Sequence, residues 1–208
     1  MLEAEANSLI NLGIDYTHRS ERDKTESAFT EVHDIFARDA WFRWRYDIRL
    51  QAATAEHWLA QANLEKENPA VAQDNLEKAR QFALSLRETA LQYEAHKYVA
   101  VAHLLLGKIA VAGDDLVEAE KQFAAAREEL EKHPAPLVAW KNHVEVGRLK
   151  LRMNNHFASR EAFARAAEII NSIAANTRDE TLRSTLLSSS AVQEITKATV
   201  KVFGEGAE

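Results

Sequence analysis

Residues 104–126 read LLLGKIAVAGDDLVEAEKQFAAA, and the fold can be worked outward from this stretch. Apolar residues up to Val111 recur at helical spacing and never alternate strictly, which excludes a strand. Gly113-Asp114-Asp115 closes one helix and opens the next, with Glu118 three residues after Asp115 at capping-box spacing. Ala119 and Ala126 flank Phe123, so two helices joined by a short turn can approach closely around one bulky ring.

The same landmarks recur along the chain. Small residues of the first helix stand at Gly13, Ala60, Gly107 and Gly147, separated by 47, 47 and 40 residues. Bulky residues of the second helix stand at Phe29, Leu76, Phe123 and Phe163, with the same separations. Two independent landmarks in one register imply four repeated helix pairs. Phe123 and Phe163 are expected in equivalent buried places beside Gly107 and Gly147.

Punctuation elsewhere fits this division. Ser20 before Glu21 and Asp23 reads as an N-cap, Asn68-Pro69 as a cap followed by proline at the first helical position, and Thr177 with Glu180 as a capping box. Ser190 with Gln193 reads as another cap. The spacing predicts helices near 2–18, 21–38, 40–66, 69–91, 93–112, 116–132, 136–153, 156–175 and 178–202. Six Gly and three Pro in 208 residues are too few for the turns of an all-β protein.

The landmarks resemble a known family. Leu12-Gly13 with Tyr16 matches the Leu-Gly-x-x-Tyr signature of the tetratricopeptide repeat, and Leu106-Gly107 with Ala119, Phe123 and Ala126 matches the rest of it. Leu59-Ala60 with Ala72, Leu76 and Ala79, and Val146-Gly147 with Phe163 and Ala166, repeat the pattern. The first unit departs from it, with Thr25 and Val32 where alanine is expected. Repeats of 40 and 47 residues exceed the common 34-residue form and resemble the arrays of bacterial signalling ATPases, transcriptional activators and adenylate cyclases. The resemblance implies an all-α, right-handed superhelix of about four hairpins over residues 1–177. Residues 178–208 would follow as a C-terminal capping segment and tail, with Leu182, Leu186, Leu187, Ile195 and Val202 supplying its apolar surface.

Chemistry is mostly excluded. There is no cysteine, hence no disulfide, thiolate metal site or cysteine nucleophile, and the glycines form no phosphate loop. Eight histidines are present without HExxH; His96 and His103 lie about 10 Å apart along a helix, too far for one ion. The carboxylate pairs Asp114-Asp115 and Glu128-Glu129 read as capping and solvation. Neither an enzyme nor a cofactor or metal is expected. No apolar run is long enough to span a membrane, and MLEAEANS lacks the basic start of a secretion signal, so a cytoplasmic protein is expected.

The run Trp41-Phe42-Arg43-Trp44-Arg45-Tyr46 has two readings: base stacking among cations, or core. Trp41, Trp44, Ile48, Ala52, Ala55 and Leu59 form one helical stripe, which favours a core interface, with Arg43, Arg45 and Arg49 snorkelling or paired to acids. The net charge of −6 also argues against nucleic acid as a partner.

In the family the first helix of each hairpin lines a concave groove. The resemblance places Asn7, Ile10 and Ile14 there, then Thr54, His57 and Gln61, then Val101, Leu104 and Lys108, then Lys141, Val144, Arg148 and Arg152. The dicarboxylate clamp of chaperone-binding members is not reproduced, since Glu145 stands where a second base belongs. The expected function is a scaffold binding a protein or peptide partner, an acidic one by charge, as the regulatory arm of a larger signalling or transcription-regulating protein. The alternatives are a sensor for a small ligand or signalling peptide, and a self-association module forming homo-oligomers.

Overall fold

The structure is a computed structural model that describes residues 2–189, 192, 193 and 195. Among these, α-helix is the only regular secondary structure. The helices are α1 (Leu2–His18), α2 (Arg22–Arg38), α3 (Arg43–Leu64), α4 (Pro69–Gln92), α5 (His96–Ala112), α6 (Leu116–Lys132), α7 (Pro136–Arg152), α8 (His156–Asn176) and α9 (Glu180–Ser188). The chain divides into two compact units, Met1–Gln122 and Phe123–Glu208, with the boundary inside α6.

In the first unit α1 packs on α2 and α3, and α3 packs on α4 and α5. One core cluster joins Ile10, Phe29, Val32, Ile35, Phe36, Phe42 and Leu50. A second joins Leu59, Leu76, Ala79, Leu86, Leu105, Leu106 and Ile109. In the second unit α7 packs on α8, and Trp140, Val144, Phe163, Ile170, Val192 and Ile195 form the core. Each of the side chains larger than alanine contributes about 1.5–3 kcal/mol by leaving water.

The close-approach glycines are visible directly. A Cβ on Gly13 would press into the Phe29 ring, 2.7 Å from Cδ1, and one on Gly147 would lie 2.8 Å from Phe163 Cε1. Both rings are buried, as are Leu76 and Phe123. The helix starts keep the same register. Glu21, Asn68, Asp115 and Asn155 each open the second helix of a pair, again 47, 47 and 40 residues apart. Asn68, Asp115 and Asn155 accept bonds from the backbone N–H three residues on, at 3.4, 2.9 and 3.1 Å.

Several sequence expectations need correction. Ser20 is not the N-cap of α2: it adopts φ 60 in a left-handed turn, and Glu21 caps without a side-chain bond. Gly113 has φ −83, and Asp114 takes the left-handed place instead, with φ 65. Thr177 closes α8, its hydroxyl donating to Ile173 O, while Asp179 caps α9 by accepting from Leu182 N at 3.0 Å. Ser190 and Val202 lie outside the described residues.

The tryptophan stripe fails for a physical reason. Helix α3 starts only at Arg43, so Trp41 and Phe42 sit in a turn. Phe42 swings into the core, edge-on to Phe36 and Tyr46, and leaves Trp41 65 % exposed. Trp44 also stays outside, beside Tyr93 with ring centres 6.1 Å apart. Of the arginines expected to pair with acids, Arg45 does so, meeting Glu3 Oε1 at 3.0 Å, whereas Arg49 donates to the amide oxygens of Asn11, at 2.8 Å, and Asn7.

Candidate functional site

The residues expected to line a groove separate into a buried set and an exposed set. His57 is 1 % exposed and Gln61 is also buried, because α1 and α2 cover that stripe of α3. His57 lies edge-on to Phe29 and Trp58, and its Nδ1 is 3.5 Å from Thr17 Oγ1, which itself donates to Gly13 O. Burial pushes the His57 pKa down, and Arg22 adds to this, while Glu26, 3.7 Å from Nε2, pulls it back. The ring is therefore neutral near pH 7. Leu104 and Val144 are buried as well, Val144 against Trp140 and Phe163, and Val101 packs partly buried on the first unit's core. These five side chains build structure and present little or no surface to a partner.

The basic residues are more accessible. In the first unit Lys108 on α5 reaches Glu56 on α3 at 3.3 Å. In the second unit Lys141, Arg148 and Arg152 are exposed and follow one stripe of α7, because seven and eleven residues are close to whole helical turns. Arg148 pairs with Glu145 at 2.8 Å, and Lys141 Nζ lies 5.9 Å from the Trp140 ring.

The opposite side of α7 carries a hollow of about 490 Å³ between α6 and α8. Its walls include Arg127, Leu130 and Glu131 from α6, Asn142, His143, Val146 and Lys150 from α7, and Ala158, Glu161, Ala162 and Arg165 from α8. Asn142 is 1 % exposed; its Nδ2 donates to Phe123 O at 3.2 Å, and its Oδ1 has no partner. Arg127 pairs with Glu131 at 3.7 Å, and Arg165 with Glu168 at 2.9 Å. Burial, then the cations Arg127 and Arg165, lower the His143 pKa against the opposing pull of Glu131 and Glu168. A neutral imidazole, an orphaned amide oxygen and a rim of both charges surround an otherwise apolar space. Such a space can take a small molecule with polar ends.

None of the residues lining this hollow was picked out as a candidate from sequence, although the register exposes the site. Aligning the third and fourth repeats by 40 residues sets Asn142 on Ala102, His143 on His103, Ala158 on Glu118, Ala162 on Gln122 and Arg165 on Ala125. In the third repeat His103 Nδ1 meets Gln122 Oε1 at 2.7 Å, and Gln122 donates to Glu118 at 2.6 Å. The corresponding hollow in the first unit, lined by Leu106, Ala110, Glu118 and Gln122, is smaller, at about 360 Å³.

Among the described residues no helix is long and apolar enough to cross a membrane. No model of a known protein family matches the chain, and no curated protein matches it.

Proposed function

We propose that the chain is an interaction scaffold of tetratricopeptide-like hairpins, in which the exposed basic stripe of α7 receives an acidic peptide or the acidic face of a partner domain. The observation that carries this reading is the stripe itself. Lys141, Arg148 and Arg152 stand solvent-exposed in one line, while Val138, Trp140, Val144 and Leu149 of the same helix are buried in packing. The repeat register supports it. Glycine–phenylalanine contacts recur at Gly13–Phe29 and Gly147–Phe163, and helix starts recur at matching intervals, as expected of stacked hairpins forming a right-handed superhelix. Such an array makes an extended surface without a catalytic pocket. In this reading it serves as the regulatory arm of a signalling or transcription-regulating protein.

The stripe acts by long-range attraction, which raises the association rate of an acidic partner and weakens with salt. The test is to pan a library of acidic peptides against the full chain and measure the best binder by fluorescence anisotropy. Lys141→Glu with Arg148→Glu should weaken that binder at least tenfold at low ionic strength and leave helicity unchanged. Wild-type binding should itself fall as salt rises. A binder indifferent to both the double reversal and salt would remove the stripe from the function.

A further inference from the structure

The hollow behind α7 differs from its counterpart one repeat earlier in a directed way. In the third repeat, Gln122 reaches His103 at 2.7 Å and lines a smaller hollow of about 360 Å³. In the fourth, alanines at 158 and 162 withdraw those side chains and leave His143 facing the cavity. A buried Ala102 is replaced by a buried Asn142 whose Oδ1 has no partner, and Ala125 is replaced by Arg165. An ordinary packing gap would not replace a buried methyl by an amide, since an unsatisfied buried oxygen costs about 1–3 kcal/mol. The orientation of the amide is set by its Nδ2 bond to Phe123 O, so the end left over is an acceptor awaiting a donor.

Volume and charge narrow the ligand. About 490 Å³ lies within the roughly 300–1,000 Å³ range of small-molecule sites. Leu130, Val146, Ala158 and Ala162 offer apolar wall, Arg127 and Arg165 offer cations, and Glu131 and Glu161 offer anions. We propose that this hollow binds a small amphoteric molecule, an amino acid or dipeptide with an apolar side chain. Its N–H donates to Asn142 Oδ1, its carboxylate faces Arg127 and Arg165, and its ammonium lies towards Glu161. The site lies on the side of α7 opposite the Lys141–Arg148–Arg152 stripe, so it does not depend on the acidic-partner reading and fails or stands separately from it.

The test uses the full chain with L-leucine and L-alanyl-L-leucine as probes, read by saturation-transfer NMR and calorimetry. Three variants give the fourth repeat the third repeat's own residues: Ala162→Gln, Asn142→Ala and Arg165→Ala. At least one probe should bind the wild-type chain. Ala162→Gln should weaken binding at least tenfold by narrowing the hollow and engaging His143 as Gln122 engages His103, and Asn142→Ala and Arg165→Ala should each weaken it at least tenfold. Arg165 is exposed, so its variant tests the proposal even where a core change disturbs folding. Melting curves establish that each variant is folded. The proposal is overturned if neither probe binds, or if Arg165→Ala and a folded Ala162→Gln bind as wild type does. Either result makes the hollow a hydrated gap, its Asn142 oxygen satisfied by water alone.

Discussion

At the scale of single residues, buried histidines tie stability to pH. His57 is neutral in the fold because burial outweighs the nearby Glu26 carboxylate, so its folded pKa lies below the ordinary 6.5. Above that value the ring is neutral in both folded and unfolded chains and stability is unaffected. As pH falls through 6.5 towards the folded value, the unfolded chain takes up the proton first and stability drops. His143 acts in the same direction. The melting temperature should therefore fall between pH 7.5 and 5.5, and His57→Gln should flatten that slope; an unchanged slope would show that the ring is not buried as described. The close-approach glycines give a second test. Gly147→Ala forces a methyl into the Phe163 ring and should cost about 1–3 kcal/mol in denaturant unfolding. The second repeat has Ala60 with Leu76 where the others have Gly with Phe. Adding Phe163→Leu to Gly147→Ala should therefore cost less than the sum of the two single changes.

At the scale of elements, helix ends and faces divide what was legible from what was not. Helices α6 and α7 end within a residue of their expected bounds, because proline, the Asp-Asp pair and the Asn-Asn pair punctuate them. The tryptophans were misread because helical periodicity cannot see that Phe42, the residue just before α3, folds back into the core. His57 and Gln61 were misread as groove residues because the open face of a helix depends on which neighbours cover it. The hollow behind α7 lay unread in the spacing, for it shows only when repeats are compared position by position. Turn geometry was also hidden. Glu94 joins α4 to α5 at φ 52, a conformation that costs an ordinary side chain about 1–2 kcal/mol. The turn satisfies its backbone, with Ala95 N donating to Ala90 O at 2.8 Å. Glu94→Gly should thus raise stability by about 0.5–1 kcal/mol, seen as a melting temperature higher by about 1–4 °C. Gly113→Ala should be near neutral, since its φ is −83 and the nearest atom to a new Cβ is 3.5 Å away.

At the scale of the whole chain, a repeat array needs its last apolar face covered, and the second unit shows how this is done. Helix α9 contributes no fully buried residue, and Leu182 is 62 % exposed. Most of the covering comes from beyond it, where Val192 and Ile195 enter the core with Trp140, Val144, Phe163 and Ile170; from α9 itself only Leu186 packs alongside, partly buried. Among the described residues the cap is thus Val192 and Ile195, helped by Leu186 near the end of α9. Ile195→Ala should then cost about 2–5 kcal/mol, whereas Leu182→Ala should stay within about 0.5 kcal/mol. Ending the chain after Thr177 strips the cover from Trp140, Val144 and Ile170 together. An exposed apolar patch of that kind seeks another surface, so the shortened chain should dimerise or aggregate where the full chain does not. Light-scattering mass against concentration measures this directly. A truncated chain that stays monomeric and melts with the full-length protein would reduce Val192 and Ile195 to passengers on a core complete without them.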